Sequence, residues 1–235
     1  RDSSNTQKDA STWQVTDKSG NQYLFTDLAQ YPMEGCDNPL IETWRWSLTQ
    51  ARSATSTVNV ISYTYFHETA MKRDCDKEGK PNYQTDLAVY PETITYPNGK
   101  YQITFVRSGT LRKDYKDSWL DETALVLYQR QQLARIDIKQ DADAQSGYET
   151  TVRHYDFSYT NGDVFPGVTW VHSGNDNGKT PTLIKVQEYA QNGSSLPATQ
   201  FSYTDGMHLT QVNNGYNGRV VINYETAPWA NDEGP

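Results

Sequence analysis

The sequence predicts an all-β fold, in which antiparallel hairpins stack into a continuous curved sheet with little helix. Seven short segments alternate apolar and polar residues and close on an aromatic one: those beginning at Tyr23 (YLF), Ile61 (ISYTY), Glu92 (ETITY), Tyr101 (YQITF), Tyr155 (YDFSY), Thr199 (TQFSY) and Val220 (VVINY). Strand side chains alternate sides with a period of two. Each segment therefore lays an aromatic and apolar stripe on one sheet face and Ser, Thr, Asn or Gln on the other. Turn residues separate these segments, with Ser19-Gly20-Asn21 and Pro97-Asn98-Gly99 the clearest. Only 35% of residues are hydrophobic, but 17 Tyr, 6 Trp and 6 Phe supply large buried areas whose polar tips can stay wet, which suits a thin, sheet-rich molecule and argues against wholesale disorder.

In chain order, residues 1–11 read as a disordered lead-in, and WQVTD, a KSGN turn and YLFTD form the first hairpin. A loop carrying Tyr31, Pro32, Cys36 and Pro39 leads to TWRWSLTQ, where Trp44, Trp46 and Leu48 share a face. VNVISYTYF is the clearest strand, rich in β-branched and aromatic residues. The run from His67 to Asp86 reads as a polar, charged insertion. LAVYPETITYP and KYQITFVR flank the Asn-Gly turn, the strongest short-range hairpin signal available. WLDETALVLYQRQQLARIDIKQ admits a helical face through Leu120, Ala124, Leu127, Tyr128 and Gln131; the preferred reading is a short irregular or helical turn near 118–123 followed by two strands. Thereafter LARIDIK with TVRHYDFSYT, LIKVQEYA with PATQFSYT, and HLTQVNNG with GRVVINYE each begin near a Leu and finish in an aromatic strand. The loops vary in length, so the repeat resides in strand pairs rather than in a fixed period. Residues 12–226 are expected to be a single repetitive β-hairpin domain, with 12–116 and 117–226 as an optional subdivision and 227–235 as a tail.

A net charge of −8 gives a field that repels nucleic acid and anionic surfaces; the basic residues between Arg107 and Lys116 are interleaved with Gly109 and Asp114 and read as a solvated turn. No apolar run reaches the roughly 18 residues that span a bilayer. The polar start and the ragged last residues read as those of a piece of a longer polypeptide. Cys36 and Cys75 lie in polar stretches read as loops. A disulfide between them would imply an oxidising compartment, and two unrelated thiols is the alternative.

The run LIKVQEYAQNGSSLPATQFSYTDGMHLTQVNNGYNGRVVINYE resembles segments of the bacterial RHS/YD-repeat superfamily, in particular the region preceding the repeats in SpvB-like and toxin-complex B-type proteins. TWQVTDKSGNQYLFTD and WRWSLTQ followed by VNVISYTYF are similar to that group's order of hairpin, Trp-containing strand and strand ending in paired tyrosines. The resemblance implies a non-enzymatic scaffold segment of a large secreted or surface protein whose hairpins form a β-shell. Its partners would be the remainder of the parent polypeptide and an encapsulated effector or a surface glycan. The turn after WRWSLTQ departs from the family pattern, which leaves the register there open. The autoproteolytic aspartate motif is absent, so no self-cleavage is carried over.

No catalytic or cofactor-binding residues are predicted. His67, His154, His172 and His208 show no triad spacing, and there is no nucleophile elbow, HExxH, P-loop or dinucleotide fingerprint. Asp141, Asp143, Gln145 and Glu149 imitate the start of a calcium loop, but Gly147 falls one residue late and Val152 stands where a bidentate Glu is wanted, so an acidic hairpin loop is preferred and no metal is predicted. Asn175 to Gly178 is a turn signature first. The rival function is a carbohydrate-binding module using Trp44, Trp119, Trp170 and Trp229; a secreted hydrolase is more distant.

Overall fold

The computed structural model describes residues 12–32, 41–55, 58–72, 83–111, 129–141, 147–160, 182–204 and 208–225. They form twelve strands: β1 (Trp13–Thr16), β2 (Gln22–Pro32), β3 (Ile41–Arg52), β4 (Val60–Lys72), β5 (Tyr83–Thr95), β6 (Tyr101–Leu111), β7 (Gln131–Gln140), β8 (Thr150–Tyr159), β9 (Leu183–Ala190), β10 (Thr199–Thr204), β11 (His208–Asn213) and β12 (Arg219–Val221). They join in sequence order into one antiparallel sheet with β1 and β12 at its edges. The all-β expectation therefore holds, and the helix among the described residues is a 3₁₀ turn over Pro97–Gly99.

The turns form where the sequence supplies residues able to take positive φ. Gly20 has φ 82°, and the Asp17 carboxylate accepts the Ser19 and Asn21 N–H groups. Gly99, at φ 69°, closes the Asn-Gly turn as a 3₁₀ turn bracketed by the bond from Tyr96 N–H to Tyr101 O at 3.0 Å. This loop is longer than a two-residue hairpin turn. The proposed helical turn near 118–123 lies outside the described residues.

His67 to Asp86 was expected to be an insertion. Instead β4 runs on through Lys72 and β5 begins at Tyr83, so the described parts of that stretch are strand. Polarity misleads here because His67, Glu68 and Asp86 on these strands reach neighbouring hairpins through their polar side chains.

Ladder lengths explain the layering. Within the hairpins, β2 pairs with β3 from Gln22↔Arg52 to Pro32↔Ile41 and β4 with β5 from Ser62↔Thr95 to Lys72↔Tyr83. Between hairpins the ladders are short: β3 meets β4 from Arg52↔Val60 to Gln50↔Ser62, and β5 meets β6 from Thr95↔Gln102 to Thr93↔Thr104. Beyond these short joints the hairpins separate from the ladder and lie against one another. β2 thus packs on β5, which is not its hydrogen-bonded neighbour. The residues buried in these contacts include Ala29, Leu87, Ala88 and Val89, but also Thr43, Ser47, Glu68 and Thr85. Such interiors need paired polar groups, because a buried donor or charge without a partner is costly.

Candidate functional site

Three features combine chemistry with position: a row of Tyr and Leu residues across the sheet, and two charged seams between hairpins.

The row begins from the predicted strand repeat. The Tyr65 hydroxyl donates to Leu48 O at 2.9 Å, Tyr159 to Leu133 O at 2.9 Å, Tyr203 to Leu183 O at 2.8 Å and Tyr224 to Leu209 O at 3.2 Å. Each bond occupies the same place relative to the ladder end. The last pairs on that side are Gln50↔Ser62, Arg135↔Asp156, Lys185↔Gln200 and Gln211↔Val221; every acceptor Leu lies two residues past its strand's last pair, and every Tyr three past its own. The hydroxyl takes up a carbonyl just where the ladder stops supplying N–H groups. Burial pushes the Tyr65 and Tyr203 phenols above their usual value, which keeps both as neutral donors at neutral pH.

On its other side, each of the first three tyrosines meets the following strand at a bulge. The register shifts at Thr64/Tyr65, Ser158/Tyr159 and Ser202/Tyr203, setting Tyr65 opposite Pro91, Tyr159 opposite Leu183 and Tyr203 opposite Leu209. Leu183 and Leu209 therefore pair with one tyrosine and accept from the next. Between β5 and β6 the tyrosine position is filled by Arg107, which pairs with Leu133, lies 3.9 Å from the Phe66 ring centroid and stands 4.0 Å from Glu92. The row thus runs from Leu48 on β3 to Tyr224, just past β12, with the β5–β6 joint lacking the Tyr–Leu bond and Arg107 Nη1 buried there without a hydrogen-bond partner among the described residues.

The first seam joins the β2/β3 hairpin to the β4/β5 hairpin. His67 Nε2 lies 3.0 Å from Asp27 Oδ1 on β2, and Nδ1 lies 2.8 Å from Asp86 Oδ1 on β5. The second Asp86 oxygen accepts the Gln30 N–H at 2.6 Å, and Arg45 Nη1 donates to Val89 O, opposite His67 in the β4–β5 ladder. Burial pulls the His67 pKa down as the largest single influence. The hydrogen bonds and charges of Asp86 and Asp27 outweigh it, so the net shift is upward from 6.5. Ser47 Oγ, cross-strand from Asp27, is buried without a hydrogen-bond partner among the described residues. With both ring nitrogens directed at carboxylates, His67 has none left to activate that hydroxyl.

The second seam joins β4/β5 to β6/β7. Glu68, 6% exposed, receives Arg130 Nε at 2.8 Å and the Tyr90 hydroxyl at 3.0 Å, and Tyr90 Oη in turn accepts the Gln131 N–H at 3.2 Å. Within β7 itself, the buried Asp137 accepts Arg135 Nη2 at 3.1 Å, and its other oxygen lies 2.6 Å from Arg135 Nε as an ion pair without hydrogen-bond geometry. The predicted repeat thus proves to be a joint, whereas both seams were missed. His67 stands 40 residues from Asp27 and 19 from Asp86, a separation that carries no motif, and strand register alone brings them together.

The other predicted positions are less connected. Trp44 is half-buried with a buried Nε1, while Trp119, Trp170 and Trp229 lie outside the described residues. Cys36, Cys75, Asp143, Gln145, His172 and Asn175 to Gly178 also lie outside them. Asp141 follows β7 and donates its N–H to Lys100 O. Among the described residues, no three His, Cys, Asp or Glu side chains gather as a metal-holding group. His154 stacks on Tyr189 at 4.7 Å, and His208 meets Tyr224 edge-on.

No family model matches the chain, and no curated protein matches it. Among solved structures, it is similar to the crystal structure of TcdB2-TccC3, with 14% identity and a TM-score of 0.48 over 82% of this chain and 10% of that one. It is likewise similar to that of TcdB2-TccC3-Cdc42, with 13% identity and a TM-score of 0.40 over 84% of this chain and 11% of that one. The chain spans about a tenth of the length of each.

Proposed function

We propose that this chain is a non-enzymatic scaffold segment: a run of hairpins joined by one repeated joint, forming part of the β-shell of a larger secreted or surface protein of RHS/YD-like type. The observation that carries the reading is the end of the Tyr–Leu row. Tyr224 occupies the position held by Tyr65, Tyr159 and Tyr203, each of which stands beside a following strand. β12 has no such neighbour among the described residues, and Val220 and Val221 on it are exposed. An unpaired, apolar strand edge is a template for another strand, so the row calls for a further hairpin laid against β12. The resemblance of the sequence to the RHS/YD superfamily supports the same reading, and the remainder of such a parent would be the principal partner.

The carbohydrate-binding alternative calls for a flat, exposed row of tryptophans. Among the described residues Trp13 is the exposed tryptophan, and it rests edge-on against Trp46 with centroids 6.2 Å apart. A glycan array screened with the purified chain tests the choice. The scaffold reading expects no ligand of micromolar affinity or better, and such a ligand, lost on Trp13→Ala, would replace it with the binding-module reading.

A further inference from the structure

The seam between the β2/β3 and β4/β5 hairpins is tied together by one imidazole held between two carboxylates of different strands. We propose that His67 is a proton-operated latch: its imidazolium clamps Asp27 of β2 to Asp86 of β5 and holds the two hairpins together, and loss of its proton loosens the seam.

The geometry gives the reason. An imidazolium carries N–H donors on both nitrogens, and both face carboxylate oxygens, at 3.0 Å and 2.8 Å. A neutral ring keeps one N–H. Its other nitrogen then presents a lone pair to a carboxylate about 3 Å away, and the two aspartates lose the cation between them. The surroundings do not replace it. From β3, Arg45 reaches Val89 O and bears electrostatically on Tyr65, as Asp27 does, so one guanidinium lies nearby but spends a donor on a backbone carbonyl. From β4, Tyr65 directs its hydroxyl to Leu48 O, and Glu68 is engaged with Arg130 and Tyr90. Asp86 also anchors the Gln30 N–H, so a displaced Asp86 releases the β2 backbone as well.

The sense of the dependence follows from linkage. A histidine whose folded-state pKa lies above its unfolded value contributes stability that is complete below the unfolded value and disappears as pH rises through the folded one. The upward shift from 6.5 places that loss on the alkaline side of 6.5. The seam is closed while the ring is protonated between its two carboxylates and relaxes as pH rises and the ring loses its proton, opposite to a buried neutral histidine, which destabilises as it charges.

The experiment is thermal unfolding of the 235-residue chain from about pH 5.5 to 9.5, with His67→Gln and Asp27→Asn beside wild type, and an NMR titration of the His67 ring in the wild-type protein. The latch predicts that wild type loses Tm relative to His67→Gln as pH rises above 6.5, that Asp27→Asn flattens this difference, and that the His67 ring titrates above 6.5. Over the same range, the Gln30 amide should exchange faster than intrinsic chemistry accounts for. Parallel Tm profiles for wild type and His67→Gln would overturn the proposal. If His67→Gln does not fold, the wild-type ring decides: titration at or below 6.5, or a Gln30 amide that follows intrinsic exchange alone, refutes the latch.

Discussion

Tyr203 shows how one side chain serves two strands. Its backbone stands opposite Leu209 at a bulge, and its hydroxyl, 2.8 Å from Leu183 O, closes the carbonyl that the β9–β10 ladder leaves open. Tyr203→Phe removes that bond alone, and the expected loss is about 1 kcal/mol, read as a lower urea midpoint with an unchanged m-value. Glu68 presents a larger effect at the same scale. Glu68→Ala takes from the Arg130 guanidinium and the Tyr90 hydroxyl the buried carboxylate they share, and equilibrium unfolding should show a loss of about 3 kcal/mol. These two residues differ in how far sequence could reveal them. Tyr203 stands out because it ends an alternating strand, but Glu68 looks like any exposed acid in a charged stretch until register sets it against Arg130.

Among elements, the joint between successive hairpins is the unit that matters. β3–β4, β7–β8, β9–β10 and β11–β12 each end in a Tyr–Leu bond, whereas β5–β6 has Arg107 at the tyrosine position, set against Phe66 and Glu92. The joints share no residues when they are far apart along the row. Tyr65→Phe and Tyr203→Phe should therefore add in a double variant to within about 0.5 kcal/mol, as two-state denaturation would measure. The turns are more demanding. Gly215 has φ 75°, and a Cβ there would meet Pro197 Cβ at 2.5 Å and Ala198 O at 2.9 Å. Gly215→Ala should cost about 1–3 kcal/mol and loosen the β11–β12 turn, visible as faster amide exchange at Asn214. The hairpins and their order were legible because turn residues and period-two alternation are local. The bond between the Leu that opens a unit and the Tyr that closes it was not, since it depends on where each ladder ends, and side-chain pattern does not encode that.

At the scale of the molecule, charged and hydroxyl groups take places that a sandwich would fill with apolar ones. Glu68, Asp137, Thr43, Ser47 and Thr85 are buried alongside Leu87, Ala88 and Val89, consistent with a mean hydropathy of −0.83. Stacked hairpins expose each seam along its rim, so cohesion comes from repeated joints and paired charges more than from a thick core. Such an array has no intrinsic end, and among the described residues its edge strands β1 and β12 are where the proposed larger shell would continue. The most direct measurement is residue-resolved amide exchange at Val221. Ile222 N–H donates inward to Thr210 O, so alternation turns the Val221 N–H to the free edge. The scaffold account predicts rapid exchange at Val221 in the 235-residue chain and strong protection in the proposed longer parent polypeptide. Equal, rapid exchange in both would leave β12 a true edge and contradict the account.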